Sequence, residues 1–169
     1  EEPATTLTGR ALSQLNNRAD ALLTRLNAIP GVVGTFVCDN YGIRLRGYVD
    51  ESIHPDDWVG FGKKIANMLG ALDTYGIKAR DLELSFSCYD LHVRNLGNAF
   101  ATIVCRRDVD WAILRMTTNV AAAPIENDKG LQGELMVAAP STRETLTERQ
   151  LSANELRMIV KILSNNKRG

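Results

Sequence analysis

Ile29-Pro30-Gly31-Val32-Val33-Gly34-Thr35-Phe36-Val37-Cys38-Asp39-Asn40-Tyr41-Gly42-Ile43 is the stretch that decides the fold. Pro30 disfavours helical geometry in the residue before it and Gly31 turns the chain, so a helix ends here. Val32 to Cys38 reads as a strand, closed by the turn-forming cluster Asp39-Asn40-Tyr41-Gly42. Ile43 to Val49 then returns as a second strand, which makes a hairpin. In that second strand Ile43, Leu45 and Gly47 alternate with Arg44, Arg46 and Tyr48, so one face is expected to be covered and the other polar.

Upstream, Leu12, Leu15, Ala19, Leu22, Leu23 and Leu26 recur at helical spacing, which predicts a helix from about Gly9 to Ala28. Downstream, Pro55 followed by Asp56 and Asp57 opens a second helix, where a missing N–H costs nothing and acids favour the positive end of the dipole. This helix carries an apolar stripe, Trp58, Phe61, Ile65, Met68, Leu72 and Tyr75, and beside it a stripe of small residues, Gly62, Ala66 and Gly70. Gly76 is the expected terminator. Glycine inside a helix costs about 0.8–1 kcal/mol relative to alanine. The small stripe therefore implies close approach of another backbone, either the chain's own sheet or a second copy of the helix.

Three strands follow. Leu82, Leu84 and Phe86 alternate with Glu83, Ser85 and Ser87, and Leu91 and Val93 alternate with His92 and Arg94. Ala99 to Cys105 is apolar on both sides, as a central strand should be. A third helix is expected from an N-cap at Asp108, with Trp111, Ala112, Met116 and Val120 on its apolar side and Pro124 ending it. Residues 126–130 read as a turn or linker, Leu135 to Ala138 as a short added strand, and 142–164 as an amphipathic helix. Ser152-Ala153-Asn154-Glu155 is a capping box within that last segment, and Leu156, Ile159, Val160 and Leu163 form its apolar face. The domain boundaries follow: an extension over 1–8, one domain over 9–123, and a C-terminal extension over 124–169.

The αββαβββα order resembles the roadblock / dynein light-chain family. The resemblance rests on Ile29-Pro30-Gly31-Val32-Val33-Gly34 and on the aspartate-x-x-glycine hairpin Asp39-Asn40-Tyr41-Gly42-Ile43, and covers roughly Gly9 to Ala123. It implies an α+β, longin/profilin-like sandwich: a five-stranded antiparallel sheet with the second helix on one face and the first and third on the other. It also implies a homodimer built by pairing the third strands edge to edge and packing the second helices together. The expected interface is Phe61, Gly62, Ile65, Ala66, Leu69 and Gly70 with Leu82, Glu83, Leu84 and Ser85. The partner it implies is a Ras-like small GTPase. Lys63, Lys64 and Asn67 border the second helix's apolar stripes and are the candidate partner-binding residues. The C-terminal residues Leu156, Ile159, Val160 and Leu163 have two readings, docking on their own domain or binding the partner.

Composition narrows the alternatives. Lysine plus arginine and aspartate plus glutamate number 20 each among 169 residues, so no global field steers nucleic acid or an anionic membrane. No segment is apolar for long enough to span a bilayer, and nothing resembles a cleaved signal peptide, which gives a cytoplasmic expectation. The chain begins at Glu1 and not at methionine, as expected of a piece of a longer protein. Cys38, Cys88 and Cys105 are odd in number, widely spaced and set among apolar residues, which reads as structural thiols and not a disulfide framework. With only His54 and His92 to join them, no metal site is expected.

No catalytic constellation emerges either. Gly60-Phe61-Gly62-Lys63-Lys64 lacks the spacing and the hydroxyl of a phosphate-binding loop. His92 reads as structural, Cys88 as the most accessible thiol, and Arg44, Arg46, Arg94, Arg106 and Arg107 as solvated strand-face residues. The sequence therefore predicts an adaptor that is not an enzyme and needs no cofactor; the alternatives are a sensory ligand-binding domain or a general scaffold without a GTPase partner.

Overall fold

In a computed structural model, which describes residues 9–42, 44–49 and 60–137, the Pro30-Gly31 turn closes as expected. Ile29 N–H donates to the Leu26 carbonyl and Val32 N–H to the Ile29 carbonyl, each at 3.1 Å. Helix α1 (Gly9–Asn27) thus runs directly into strand β1 (Val32–Asp39). At the far end of β1 the Asp39 carboxylate accepts from Tyr41 N–H at 2.9 Å, and its carbonyl accepts from Gly42 N–H at 3.0 Å. The chain returns as β2 (Arg44–Val49).

The register of this hairpin departs from simple alternation. Val37 faces Arg46 and Cys38 faces Arg44, so Leu45 is the extra residue of a bulge. The bulge brings Leu45 to the core on the α1 side, the same side on which Arg46 pairs with Asp20 of α1 at 2.9 Å. The alternation of Leu45 against Arg46 expected from the sequence is lost for this reason.

Helix α2 (Phe61–Thr74) is preceded by Gly60 at φ +79°. The expected start at Pro55 and the stripe residue Trp58 lie outside the described residues. The helix ends as a Schellman motif: Gly76 N–H donates to Asp73 O at 2.9 Å and Ile77 N–H to Leu72 O at 2.8 Å, with Gly76 at φ +73°. Strands β3 (Asp81–Ser85), β4 (Asp90–Asn95) and β5 (Ala99–Cys105) complete one antiparallel sheet in the order β2-β1-β5-β4-β3. Every residue of β5 is buried, as its unbroken apolar run required.

The sheet separates two cores. On one face Phe36, Cys38, Leu82, Leu84, Leu91, Val93, Phe100 and Val104 pack with Ile65, Ala66, Met68 and Leu72 of α2. On the other, Val37, Ala101, Ile103 and Cys105 pack beneath α1, α3 (Trp111–Glu126) and α4 (Lys129–Val137). Full burial of each large aliphatic or aromatic side chain contributes about 1.5–3 kcal/mol, so the two clusters supply most of the driving force.

Three expectations about the C-terminal half are corrected. The N-cap of α3 is Asp110 and not Asp108: its carboxylate accepts from Ala112 N–H at 3.0 Å and Ile113 N–H at 3.1 Å. Pro124 lies inside the helix, which continues to Glu126. Its missing N–H falls on the exposed side, where water can satisfy the Val120 carbonyl. The buried side of α3 is Leu114, Thr118, Ala121, Ala122 and Ile125, not Met116 and Val120. Thr118 can be buried because its hydroxyl donates to the Leu114 carbonyl one turn back, at 2.7 Å. Finally, Leu135 to Val137 are helical and not a strand: α4 is capped by Asp128, whose carboxylate accepts from Leu131 N–H at 3.0 Å, and it buries Leu131 and Leu135. That backbone bond, followed by the bond from Arg18, holds the Asp128 carboxyl below the usual carboxylate range.

Candidate functional site

β3 is an edge strand, paired only with β4. Asn95 N–H donates to Arg80 O at 2.8 Å and Phe86 N–H to Tyr89 O at 2.9 Å, so even-numbered positions direct their backbone groups to β4. By the alternation of an antiparallel ladder, Asp81, Glu83 and Ser85 direct their N–H and C=O groups to the open edge. Along that edge all three side chains are exposed, while Leu82 and Leu84 are buried against α2. The strand is therefore anchored through its leucines and presents an unpaired backbone row, which is the geometry that accepts another strand.

Beside it stands α2. Lys63 and Lys64 are exposed and Asn67 is half-buried on its outer side, whereas Gly62, Ile65 and Ala66 are buried in the chain's own core. Phe61 is half-buried and meets Phe86 edge-on, ring centroids 6.1 Å apart, which joins the start of α2 to the end of β3. The small stripe divides. Gly62 is pressed against the β1–β2 turn at Gly42, but Ala66, Leu69 and Gly70 line an open groove of about 600 Å³ with Tyr41, Asn98 and Phe100. Of the residues expected at an interface, Gly62, Ile65, Ala66, Leu82 and Leu84 are buried in the chain's own core, Phe61, Leu69 and Gly70 are half-buried, and Glu83 and Ser85 are exposed on the open edge. Leu156, Ile159, Val160 and Leu163 lie outside the described residues.

Beneath α3, the opposite face of the same edge holds a charged cluster that sequence reasoning missed. Arg94 is not solvated: it is 1% exposed. Its Nε donates to Glu126 at 2.6 Å, and its Nη1 to Asp81 at 3.0 Å and Asn119 at 2.7 Å. Burial pushes the guanidinium pKa down, but the bonds and charges of Glu126 and Asp81 outweigh it and raise the value above the ordinary one. Burial likewise pushes the Asp81 carboxyl up, but contacts from His92 and Arg94 and the neighbouring positive charge outweigh it and hold the carboxyl below its usual range. His92, also 1% exposed, places Nε2 3.2 Å from Asp81 and packs edge-on against Trp111, centroids 6.2 Å apart. The 3.2 Å contact is close enough for a hydrogen bond but is not aligned as one, so His92 packs against Asp81 without bonding to it. Arg115 completes the cluster, donating to Glu83 at 2.5 Å and lying 6.0 Å from the Trp111 ring centre. The signal was present in the register: Asp81 faces Arg94 and Glu83 faces His92 directly across the β3–β4 ladder.

The cluster orders the open edge and offers no nucleophile activated by a base. Among the described residues no group of His, Cys, Asp and Glu is arranged to hold a metal ion, and no helix is long and apolar enough to cross a membrane.

No family model matches the sequence, and no curated protein resembles it. Solved structures do. The gliding protein MglB of Thermus thermophilus superposes with a TM-score of 0.58 at 15% identity, over 79% of this chain and 99% of that one. An MglB with a tetrameric arrangement gives 0.56 at 13% identity, over 80% and 99%. The Roadblock/LC7 domain from Streptomyces avermitilis gives 0.51 at 13%, over 63% and 92%. At such identities the agreement is one of architecture, and together with the strand order and helix placement it gives the conclusion that this chain has the roadblock/LC7 fold.

Proposed function

We infer that the chain is a homodimeric, non-catalytic adaptor that binds a Ras-like small GTPase and regulates or scaffolds it in the cytoplasm. The observation that carries this reading is the open β3 edge flanked by the exposed side of α2. Pairing of two β3 edges would continue the sheet through both copies and set the two α2 helices side by side. The joined platform would be rimmed by Lys63, Lys64 and Asn67, a polar border around an apolar centre of the kind that suits a protein partner. An MglB of the same fold is solved in a tetrameric arrangement, which supports self-association as a use of this architecture. The GTPase itself rests on the family resemblance. Any effect on hydrolysis would come from ordering the GTPase's own residues, because the arginines beside the edge are engaged: Arg94 with Asp81 and Glu126, Arg115 with Glu83.

Capture from lysate on the immobilised chain, run in parallel with a GTP analogue and with GDP, tests the reading. Recovery of a small GTPase preferentially in one nucleotide state is the expected result; recovery of none, from lysate shown to contain one, removes it. The groove beside Ala66, Leu69 and Gly70 favours one other reading, a sensory domain that takes a small ligand. Stabilisation of the purified chain by a compound in a metabolite screen, lost in Gly70→Leu, would favour that alternative.

A further inference from the structure

Ile113, Met116 and Val120 stand out from the protein on α3, at 44, 63 and 60% exposure. They follow one another by three and then four residues, so they form a single stripe over two turns, opposite the face that Leu114, Ala121 and Ile125 bury. Single exposed apolar residues are ordinary on a protein surface. Three in helical register form a seam, and a seam is what another helix covers.

The rest of the chain supplies a match. After Val137 come residues 138–169, and within them Leu156, Ile159 and Leu163 repeat the same spacing of three and then four, with Val160 alongside. Two stripes of this spacing interlock as knobs into holes. Reach is not limiting: the linking residues 138–151 extend to about 48 Å, whereas α3 is about 24 Å long. The tether also starts nearby, because α4 packs against α3 and α1. A segment so tethered is present at an effective concentration on the order of 1 mM, which favours it over a second copy at the concentrations of a soluble regulator.

We propose that the segment 152–164 docks as a helix on Ile113, Met116 and Val120 of its own chain. The C-terminal extension then covers the α3 side of the sandwich and leaves the β3 edge and α2 as the side available to other molecules.

The test uses the full chain. Met116→Asp and Ile159→Asp are made singly and together, and thermal unfolding is followed. Each single change is expected to lower Tm by about 4 °C or more, and the pair to lower it no further than the larger single effect. Because Met116 and its neighbours are exposed in the sandwich itself, loss of folding is not expected. Additive shifts, or no shift from either single change, would overturn the proposal. Whose segment docks is decided by Met116→Cys with Ile159→Cys in a Cys88→Ser background under mild oxidation. A crosslink within one chain is expected, and covalent dimers would overturn the proposal in favour of a second copy.

Discussion

The backbone of Gly62 rests on the carbonyl of Gly42: a methyl group at position 62 would lie 2.4 Å from the Gly42 oxygen and 3.1 Å from Cys38 Sγ. One end of α2 is thereby seated directly on the β1–β2 turn. The glycine that the helix tolerates at this point is explained by the chain's own hairpin.

Gly62→Ala is therefore expected to destabilise the chain by about 1–2 kcal/mol, because the steric cost of overpacking against backbone outweighs the gain in helix propensity. Gly133, in α4, has open space where its Cβ would go, and Gly133→Ala should stabilise by about 0.5–1 kcal/mol. Urea denaturation of the two variants reads the opposite signs. Stabilisation by both would mean that α2 has room to lift from the turn.

Arg94 holds the second half of the sheet to α3 through Glu126 and Asn119 while bracing Asp81 on β3. Arg94→Leu should cost about 3–5 kcal/mol, since it strips the partly buried Glu126 of its closer charge partner and leaves it only the exposed Arg80, 3.5 Å away. Glu126→Gln together with Arg94→Leu should cost less than Arg94→Leu alone. A cycle of the two singles and the double, followed by chemical denaturation, checks this.

The pH dependence follows from Asp81. Its folded-state pKa is depressed below the ordinary 3.8, so its contribution to stability is present above that value and is lost as pH falls through the lower folded value. Asp81→Asn should be less stable than the parent near neutrality. The difference should shrink as the pH is lowered from about 6 toward about 2. Unfolding curves across that range measure it, and a constant gap would show that the carboxylate's charge is not what Arg94 uses.

The three thiols divide cleanly. Cys88 is exposed, while Cys38 and Cys105 are completely buried. Burial, with the charge of Asp90 adding to it, pushes the Cys105 thiol up to about 12. At a pH of about 8 an alkylating reagent should label one thiol in the folded chain and all three after unfolding. Mass spectrometry of the labelled peptides identifies the sites.

What the sequence disclosed was whatever local chemistry dictated. The Pro30-Gly31 stop, the Asp39–Gly42 turn, the Gly76 terminator and the wholly buried β5 are each set by residues adjacent in the chain, and each is where the pattern placed it. The failures share a different cause. Met116 and Val120 looked like core because apolar character alone cannot say which of two stripes meets the sheet, and Thr118 concealed the buried one by satisfying its own hydroxyl. Arg94 looked solvated because its partners Asp81, Asn119 and Glu126 come from β3 and α3, distant in sequence. A helix over 129–137 was hidden by Gly130 and Gly133, whose propensity cost is met by burying Leu131 and Leu135.

The open edge yields the sharpest test of self-association. Asp81, Glu83 and Ser85 direct their backbone groups away from β4, so a proline at position 83 removes an outward N–H and leaves the β3–β4 ladder intact. Glu83→Pro should therefore convert a β3-paired dimer into a monomer with modest loss of stability. Glu83→Thr, which also loses the Arg115 ion pair but keeps the N–H, should stay dimeric. Light scattering after gel filtration separates these outcomes. If both variants remain dimeric, the copies join elsewhere. If both become monomeric, it is the Glu83 side chain, and not the strand edge, that holds the copies together.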